Sequence, residues 1–306
     1  MLNRSIQFAS ANGLQAILFM VAAGLINTVM LSMIKQLSGV LHPFEIGFFR
    51  CFVGLIVLLP IIWRQGGLKV IKTDRMGLHV LRGALNAAGM LMFFLSLSMA
   101  PLATVSAIGF TAPLFATLLA IVILGEKVGL RRWAGLIIGF IGTVIILRPG
   151  VAIVDAGALL ALASSIAWAA AMIAIKRLTH TESPLSITAW AAFFVGVFSL
   201  IPAIFVWQWP QGEQWLILAV IGALGSVIQF CFAKAFSLAD TTVVLPFDFL
   251  KLVWATLFGF VLFSEVPDPW AWFGGSVIFA SAVYIAYRER VKAKTTVPIQ
   301  RDDWAK

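Results

Sequence analysis

The chain has 306 residues, of which 61% are hydrophobic and 11% charged, and its formal net charge is +9. A soluble domain carries about 25% charged residues, and a fold of this length has too little interior to hide so much apolar surface, so the composition excludes a soluble protein and makes lipid the solvent. The basic residues lie in short clusters between apolar runs, a pattern of membrane topology rather than of nucleic-acid binding.

Ten segments approach the roughly 20 apolar residues that a bilayer-crossing helix needs. They are 14–37, 44–63, 77–98, 101–124, 130–148, 155–178, 184–207, 213–237, 241–263 and 267–287. The first is longer than a signal-peptide core and ends without a small-residue cleavage site, so it reads as a retained helix. It carries Asn27 and Thr28. The second begins below His42 with Glu45 and places Arg50 about two turns into the span, at 3.6 residues per turn. A structural or gating pair of Arg50 with Glu45 is the first expectation, and solute contact the second. The third carries Arg82 and Asn86 on one face (i, i+4). Arg82 either snorkels to the headgroups or meets a cavity. The fourth holds Thr111. Gly135 and Gly139 give the fifth a small-residue face, for which close helix packing is the default and homodimerisation the weaker expectation. Ser164, Ser165 and Trp168 lie in the sixth, Gln229 and Lys234 in the eighth, and Trp254 in the ninth. Serine and threonine hydroxyls often bond their own helix, and tryptophan is often plain packing, so each of these has a structural alternative to solute contact. Cys51 and Cys231 lie in apolar runs without metal or disulfide spacing and read as small core residues.

The ninth span also holds the least expected charges. In "VVLPFDFLKLVWATLFGF" (243–260), Asp248 and Lys251 stand three residues apart. At 1.5 Å per residue they lie about 10 and 15 Å into the span. A charge at that depth must pair or face water. Pro246 removes a backbone donor and is expected to kink the helix there. The pair is either structural, between helices, or the charged lining of a solute path.

Loop charges set an orientation. With the N-terminus cytoplasmic, the inner segments hold Arg4, Arg64 to Arg75, Lys127 to Arg132, Lys176, Arg177, Lys234 and the tail after Tyr287. The outer ones hold only Lys35 and Arg148. Both termini are expected to face the cytoplasm.

The chain also repeats. "MIKQLSGVLHPFEI" (33–46) resembles "AIKRLTHTESPLSI" (174–187), and "LSMAPLATV" (97–105) resembles "FSLADTTVV" (236–244). "LGEKVGLRRWAG" (124–135) resembles "FSEVPDPWAWFG" (263–274), with Glu126 matching Glu265 at an offset of 139. Two five-helix units follow, 1–150 and 151–290, with a tail at 291–306. Five crossings invert the second unit, which predicts an all-α integral membrane protein of ten transmembrane helices in two inverted repeats, the plan of a secondary transporter with its solute site near mid-membrane. At the offset of 139, Asp248 and Lys251 fall on Gly109 and Ala112. Charge in one half alone suits an asymmetric solute better than a structural pair. Glu126 and Glu265 are expected to cap the helix that follows each.

The two repeats, "HPFEIGFFR", "GFTAPLFATLLAIVILGEKVGLRRWAG" and "GFIGTVIILRPG" resemble the drug/metabolite transporter superfamily, in particular its EamA-type branch, over about 14–287. The resemblance implies a cavity walled by helices 1–4 and 6–9, with helices 5 and 10 outside, and alternating access without ATP. It leaves the substrate open among amino acids, nucleotide-like compounds, vitamins, opines and drugs. The expected function is movement of a small polar or zwitterionic, amino-acid-like metabolite across a bacterial inner membrane, by export. The alternative is uptake of a nucleoside- or vitamin-like compound such as S-adenosylmethionine or riboflavin. Asp248, Lys251, Asn86, Gln229, Trp168, Trp254, Asn27 and Thr111 are the candidate solute contacts, with Arg50, Glu45 and Arg82 as gating or structural charges. Protons are a candidate coupling ion, through Asp248 and Glu45, and no cofactor or metal is expected. An embedded enzyme lacks its constellation: His42, His79 and His180 lie at span ends, with no Gly-x-Ser-x-Gly or His-Glu-x-x-His. A channel would show rings of charge or a carbonyl filter.

Overall fold

A computed structural model describes residues 11–64, 72–125, 129–148, 155–178, 181–182, 184–239, 241–266 and 268–296. Among these there are helices and turns and no strand. Lipid offers no partner to backbone N–H and C=O groups, so apolar segments satisfy them within their own helices. The helices are α1 (Ala11–Leu37), α2 (Pro43–Arg64), α3 (Met76–Met99), α4 in two halves (Leu102–Gly109 and Ala112–Leu124) and α5 (Leu130–Leu147). The second set is α6 (Ala156–Leu178), α7 (Pro184–Ile204), α8 (Gln214–Leu238), α9 in two halves (Thr241–Asp248 and Leu250–Phe263) and α10 (Pro269–Thr296). Eight are long and apolar enough to span a membrane; α5 has a shorter apolar run, Trp133–Leu147, and α2 has 22 residues. The end of the bundle where Lys35 meets Glu265 is called here the far face.

Local chemistry sets the ends. Proline opens α2, α7 and α10, where its missing N–H costs nothing. Gly125 closes α4 at φ 66°, a left-handed conformation that glycine adopts without a Cβ penalty. Two boundaries differ from the sequence expectation. α7 stops at Ile204, before 207, because the chain turns back there and Trp207 packs on Phe48 and Phe49, with ring centroids 5.8 and 5.5 Å away. α10 continues to Thr296, into the segment assigned to the tail; its last turns, "RERVKAKTT", are mostly good helix formers.

The packing exchanges the two halves. α3 lies on α6 as α8 lies on α1, and α3 meets α7 as α8 meets α2. α2 pairs with its counterpart α7, and α5 with its counterpart α10. α5 and α10 otherwise pack chiefly on α4 and α9, which places them outside the main bundle, as the resemblance implied. Their contact is backbone to backbone: a Cβ on Gly274 would fall 2.6 Å from the Gly142 carbonyl oxygen. The Gly135 and Gly139 face is covered within the chain by Ile285, Ser281 and Leu114, so it is not free to pair with a second copy.

At the centre, α4 and α9 break at matched places. Phe110 and Phe249 stand at the breaks, 139 residues apart, and their rings stack with centroids 5.8 Å apart. The break in α9 lies at Phe249, three residues past Pro246. In α4 the backbone tightens to i−3 hydrogen bonds, Phe110 N–H to Ala107 O and Thr111 N–H to Ile108 O.

Candidate functional site

Asp248 ends the first half of α9 and Lys251 sits in the first turn of the second. A helix end is negative where its carbonyls are free and positive where its amides are. Neither charge is therefore helped by the half-helix it stands on. Their side chains are in contact across one turn, 18% and 19% exposed, so neither is sealed. The contact lacks hydrogen-bond geometry: Asp248 Oδ1 is buried and accepts no hydrogen bond. Lys251 Nζ lies 4.7 Å from the centroid of Phe232 on α8, a cation–π contact. Its stem crosses Gly24 of α1, where a Cβ would come 3.2 Å from Lys251 Cγ. Trp254, one turn further along α9, buries an indole N–H that donates to nothing. Asn27 lies one turn beyond Gly24, half-buried, and has no hydrogen-bond partner among the described residues.

The other expected residues separate into distinct places. Asn86 is half-buried on α3 and Gln229 exposed on α8, and neither has a partner among the described residues. Thr111 is fully buried and donates to Ile108 O at 2.7 Å, the carbonyl at the α4 break, which Ser165 of α6 also reaches at 3.3 Å. These hydroxyls serve the broken helix. Trp168 packs over Gly89 and 5.0 Å from the Phe93 ring, which makes it an α3–α6 spacer. Arg82 is buried and donates to the Ile187 carbonyl of α7, tying two helices instead of snorkelling.

The expected Glu45–Arg50 pair does not form. Glu45 is completely buried; it accepts the His42 N–H at 3.2 Å and the Gln208 N–H. The first contact is the reciprocal capping geometry of an N3 carboxylate, and the second anchors the returning chain after α7. Glu265 does not cap α10 either; Asp268 does, accepting the Trp270 N–H at 3.0 Å. Glu265 instead accepts the Leu102 N–H at 2.8 Å, capping α4, and pairs with Lys35 Nζ at 2.6 Å. Lys35 also donates to Ala100 O at 2.6 Å. One ion pair thus joins α1, the α3–α4 turn and the end of α9 at the far face. A cavity of about 450 Å³ opens beside it, between Lys35, Gln36, Ser38 and Phe263, away from Asp248. Glu126 and His180 lie outside the described residues.

Two features were missed by reading the sequence. Lys35 was counted only as a topology charge, although its match with Lys176 in the repeat marked it. His79 is completely buried against Trp190 with both ring nitrogens unpartnered, near the Thr73–Glu182 hydrogen bond of 2.6 Å. A lone histidine at a span end carried no signal for this. Among the described residues no cluster of three His, Cys, Asp or Glu could hold a metal.

The profile of the EamA-like transporter family matches residues 14–148 and again 155–287. An S-adenosylmethionine uptake transporter of Rickettsia prowazekii (strain Madrid E) is 35% identical, over 91% of this chain and 94% of its own. A riboflavin transporter of Vibrio cholerae is 31% identical, over 92% and 96%. A pseudopaline exporter of Pseudomonas aeruginosa is 26% identical, over 88% and 95%. A crystal structure with 22% identity superimposes with a TM-score of 0.60 over 90% of this chain and 98% of its own, and so shares the fold. A family profile that matches each half in turn, on a bundle whose helices pack as exchanged halves, identifies the chain as a member of the EamA-like transporter family, a multi-pass membrane transporter and not an enzyme.

Proposed function

We propose that the chain takes up a nucleoside- or vitamin-like solute, with S-adenosylmethionine the first candidate, by alternating access. The observation that carries this reading is the Asp248–Lys251 pair, held mid-span without hydrogen-bond geometry beside Phe232 and Trp254. S-adenosylmethionine brings a sulfonium for the aspartate, and an adenine whose ring nitrogens can accept from the lysine while its face stacks on the aromatic rings. Solute binding would replace a poor contact with several good ones, which is how an intramembrane pair becomes a binding site rather than a cost. The S-adenosylmethionine uptake relative, at 35% identity, supports uptake over the export first expected from sequence.

In this reading residues 1–150 and 151–290 are the two halves that rock against each other about the Phe110–Phe249 stack. The Lys35–Glu265 tie holds the far face together and parts when that face opens. Both termini face the cytoplasm of a bacterial inner membrane, and protons are a candidate driving ion through Asp248. Asn27, Asn86 and Gln229 are the neutral polar contacts.

Melting of the purified protein in detergent tests the reading, with S-adenosylmethionine, riboflavin, nucleosides and amino acids each added in turn. A ligand of the folded state raises Tm by mass action. A shift with S-adenosylmethionine that disappears in Asp248→Asn supports the proposal. A shift with riboflavin alone moves the substrate to the flavins. A shift with amino acids alone returns the reading to an amino-acid-like solute.

A further inference from the structure

Arg50 is a cation inside the membrane that pairs with no anion among the described residues. It projects from α2 between α3 and α8. Its Nη1 donates to the Met90 thioether at 3.4 Å, its side chain also meets the Cys51 thiol, and its guanidinium carbon lies 5.9 Å from the Phe94 ring centroid. Nε is buried and donates to nothing. No carboxylate among the described residues forms an ion pair with it; Glu45 is engaged by His42 and Gln208. A thioether is a weak acceptor and a guanidinium has five donors, so most of its hydrogen-bonding capacity is unused.

The neighbour on α8 is Gly225. A Cβ there would lie 3.4 to 3.6 Å from Nε, Nη2 and the guanidinium carbon, so the guanidinium lies flush on bare backbone. Gly225, Gln229 and Phe232 are spaced i, i+4 and i+7 and share one face of α8. Phe232 is the ring beneath Lys251. Arg50, the free amide of Gln229 and the Asp248–Lys251 pair therefore succeed one another along a single stripe of α8, about 10 Å from first to last at 1.5 Å per residue. That is the length of an extended metabolite.

We infer that Arg50 is an anion subsite, which takes a carboxylate on the solute whose cationic part meets Asp248. A planar, permanently charged fork matches a carboxylate better than an ammonium does. The assignment rests on the proposed uptake function for its solute, though not for its chemistry. It makes Arg50 the residue that distinguishes carboxylated solutes from neutral ones, with Gln229 between the two charged ends.

The test compares S-adenosylmethionine with its decarboxylated analogue on the full chain in detergent, for wild type, Arg50→Met and Arg50→Lys. Wild type is expected to bind the carboxylated form at least tenfold tighter. Arg50→Met should bind both about equally, and Arg50→Lys should keep part of the preference. An unchanged preference in Arg50→Met, or none in wild type, overturns the inference. A second arm needs no solute: acetate replaces chloride at constant ionic strength, and Tm is read. A rise in wild type that is absent in Arg50→Met supports the subsite; an equal response in both overturns it. If wild type binds neither S-adenosylmethionine nor the analogue, the uptake proposal falls, and the acetate arm alone decides Arg50. If Arg50→Met yields no folded protein, the same two readings are taken on Arg50→Lys.

Discussion

Two of the ion pairs among the described residues are built differently. Lys35 and Glu265 are 230 residues apart in sequence and meet at 2.6 Å, with a backbone carbonyl and a backbone N–H completing the contact. Asp248 and Lys251 are three residues apart on one helix, and no backbone N–H or hydroxyl among the described residues donates to the aspartate. The first pair holds three segments in register. The second joins residues of a single turn, and reaches other helices only through the Lys251 contacts with Phe232 and Gly24. A pair in which both carboxylate oxygens have a partner, and which ties distant segments, belongs to the architecture; a pair left under-satisfied in a low-dielectric setting is poised to accept something else.

The comparison is broken most directly at Glu265. Glu265→Ala leaves Lys35 without its counter-ion and the first N–H of α4 without its acceptor. Removing one partner of a buried pair costs roughly 3 kcal/mol or more, and the 15–16% exposure of the two side chains keeps this pair near the low end of that range. Tm in detergent should fall by about 5 °C at the usual entropy of unfolding. Glu265→Gln keeps the acceptor for Leu102 and should fall by less. If both variants melt with wild type, the Lys35 tie is not structural and the distinction between the pairs fails.

The backbone contact of α5 and α10 offers a second architectural comparison without charge. Gly274→Ala places a Cβ against the Gly142 carbonyl, and neither atom belongs to a side chain that can move aside. Overpacking of this kind costs typically 1–3 kcal/mol, so Tm should fall by several degrees with ligand affinity unchanged. Asp248→Asn and Lys251→Met are expected to do the reverse. Each should lower initial uptake at least tenfold while Tm stays within about 2 °C of wild type, since neither residue makes a hydrogen bond to another helix and the Lys251–Phe232 contact is a partly exposed cation–π one. Early melting in both, with recovery in the double variant, would make the pair structural after all.

The sequence carried the architecture further than the site. Ten spans, their ends to within a few residues except at the end of α10, and the matched halves were legible because lipid imposes one rule on every segment: apolar outside, backbone satisfied within. The break in α9 was legible through Pro246, whereas the matched break in α4 was not read from the sequence. Pairings across the bundle were not. Glu45 looked like a partner for Arg50 because the two share a helix, yet it is taken by Gln208, 163 residues away. Glu265 looked like a cap for the next helix and caps α4 instead. Thr111 and Trp168 looked like solute contacts because polar and aromatic residues are scarce in such spans. The break at Ile108 and the gap over Gly89 need those side chains for themselves. Side-chain type tells which groups need partners; only the packing tells which partners they find.

The smallest expected effect separates the two pairs most finely. Gly24 of α1 is where the Lys251 stem crosses, and a Cβ there would sit 3.2 Å from Cγ. The obstructing atom is part of a flexible side chain, so Gly24→Ala can be absorbed by a shift of a few tenths of an ångström. Alanine is also the better helix residue by about 1 kcal/mol. Stability should therefore hold or rise slightly. The shift falls on the ammonium that the proposed site uses, so solute affinity should weaken by two- to fivefold, read by equilibrium binding alongside Tm. Weaker binding without lower stability would show that the position of Lys251 matters to the solute and not to the fold. Unchanged affinity would mean that the ammonium is free to swing, and that Asp248 alone recognises charge.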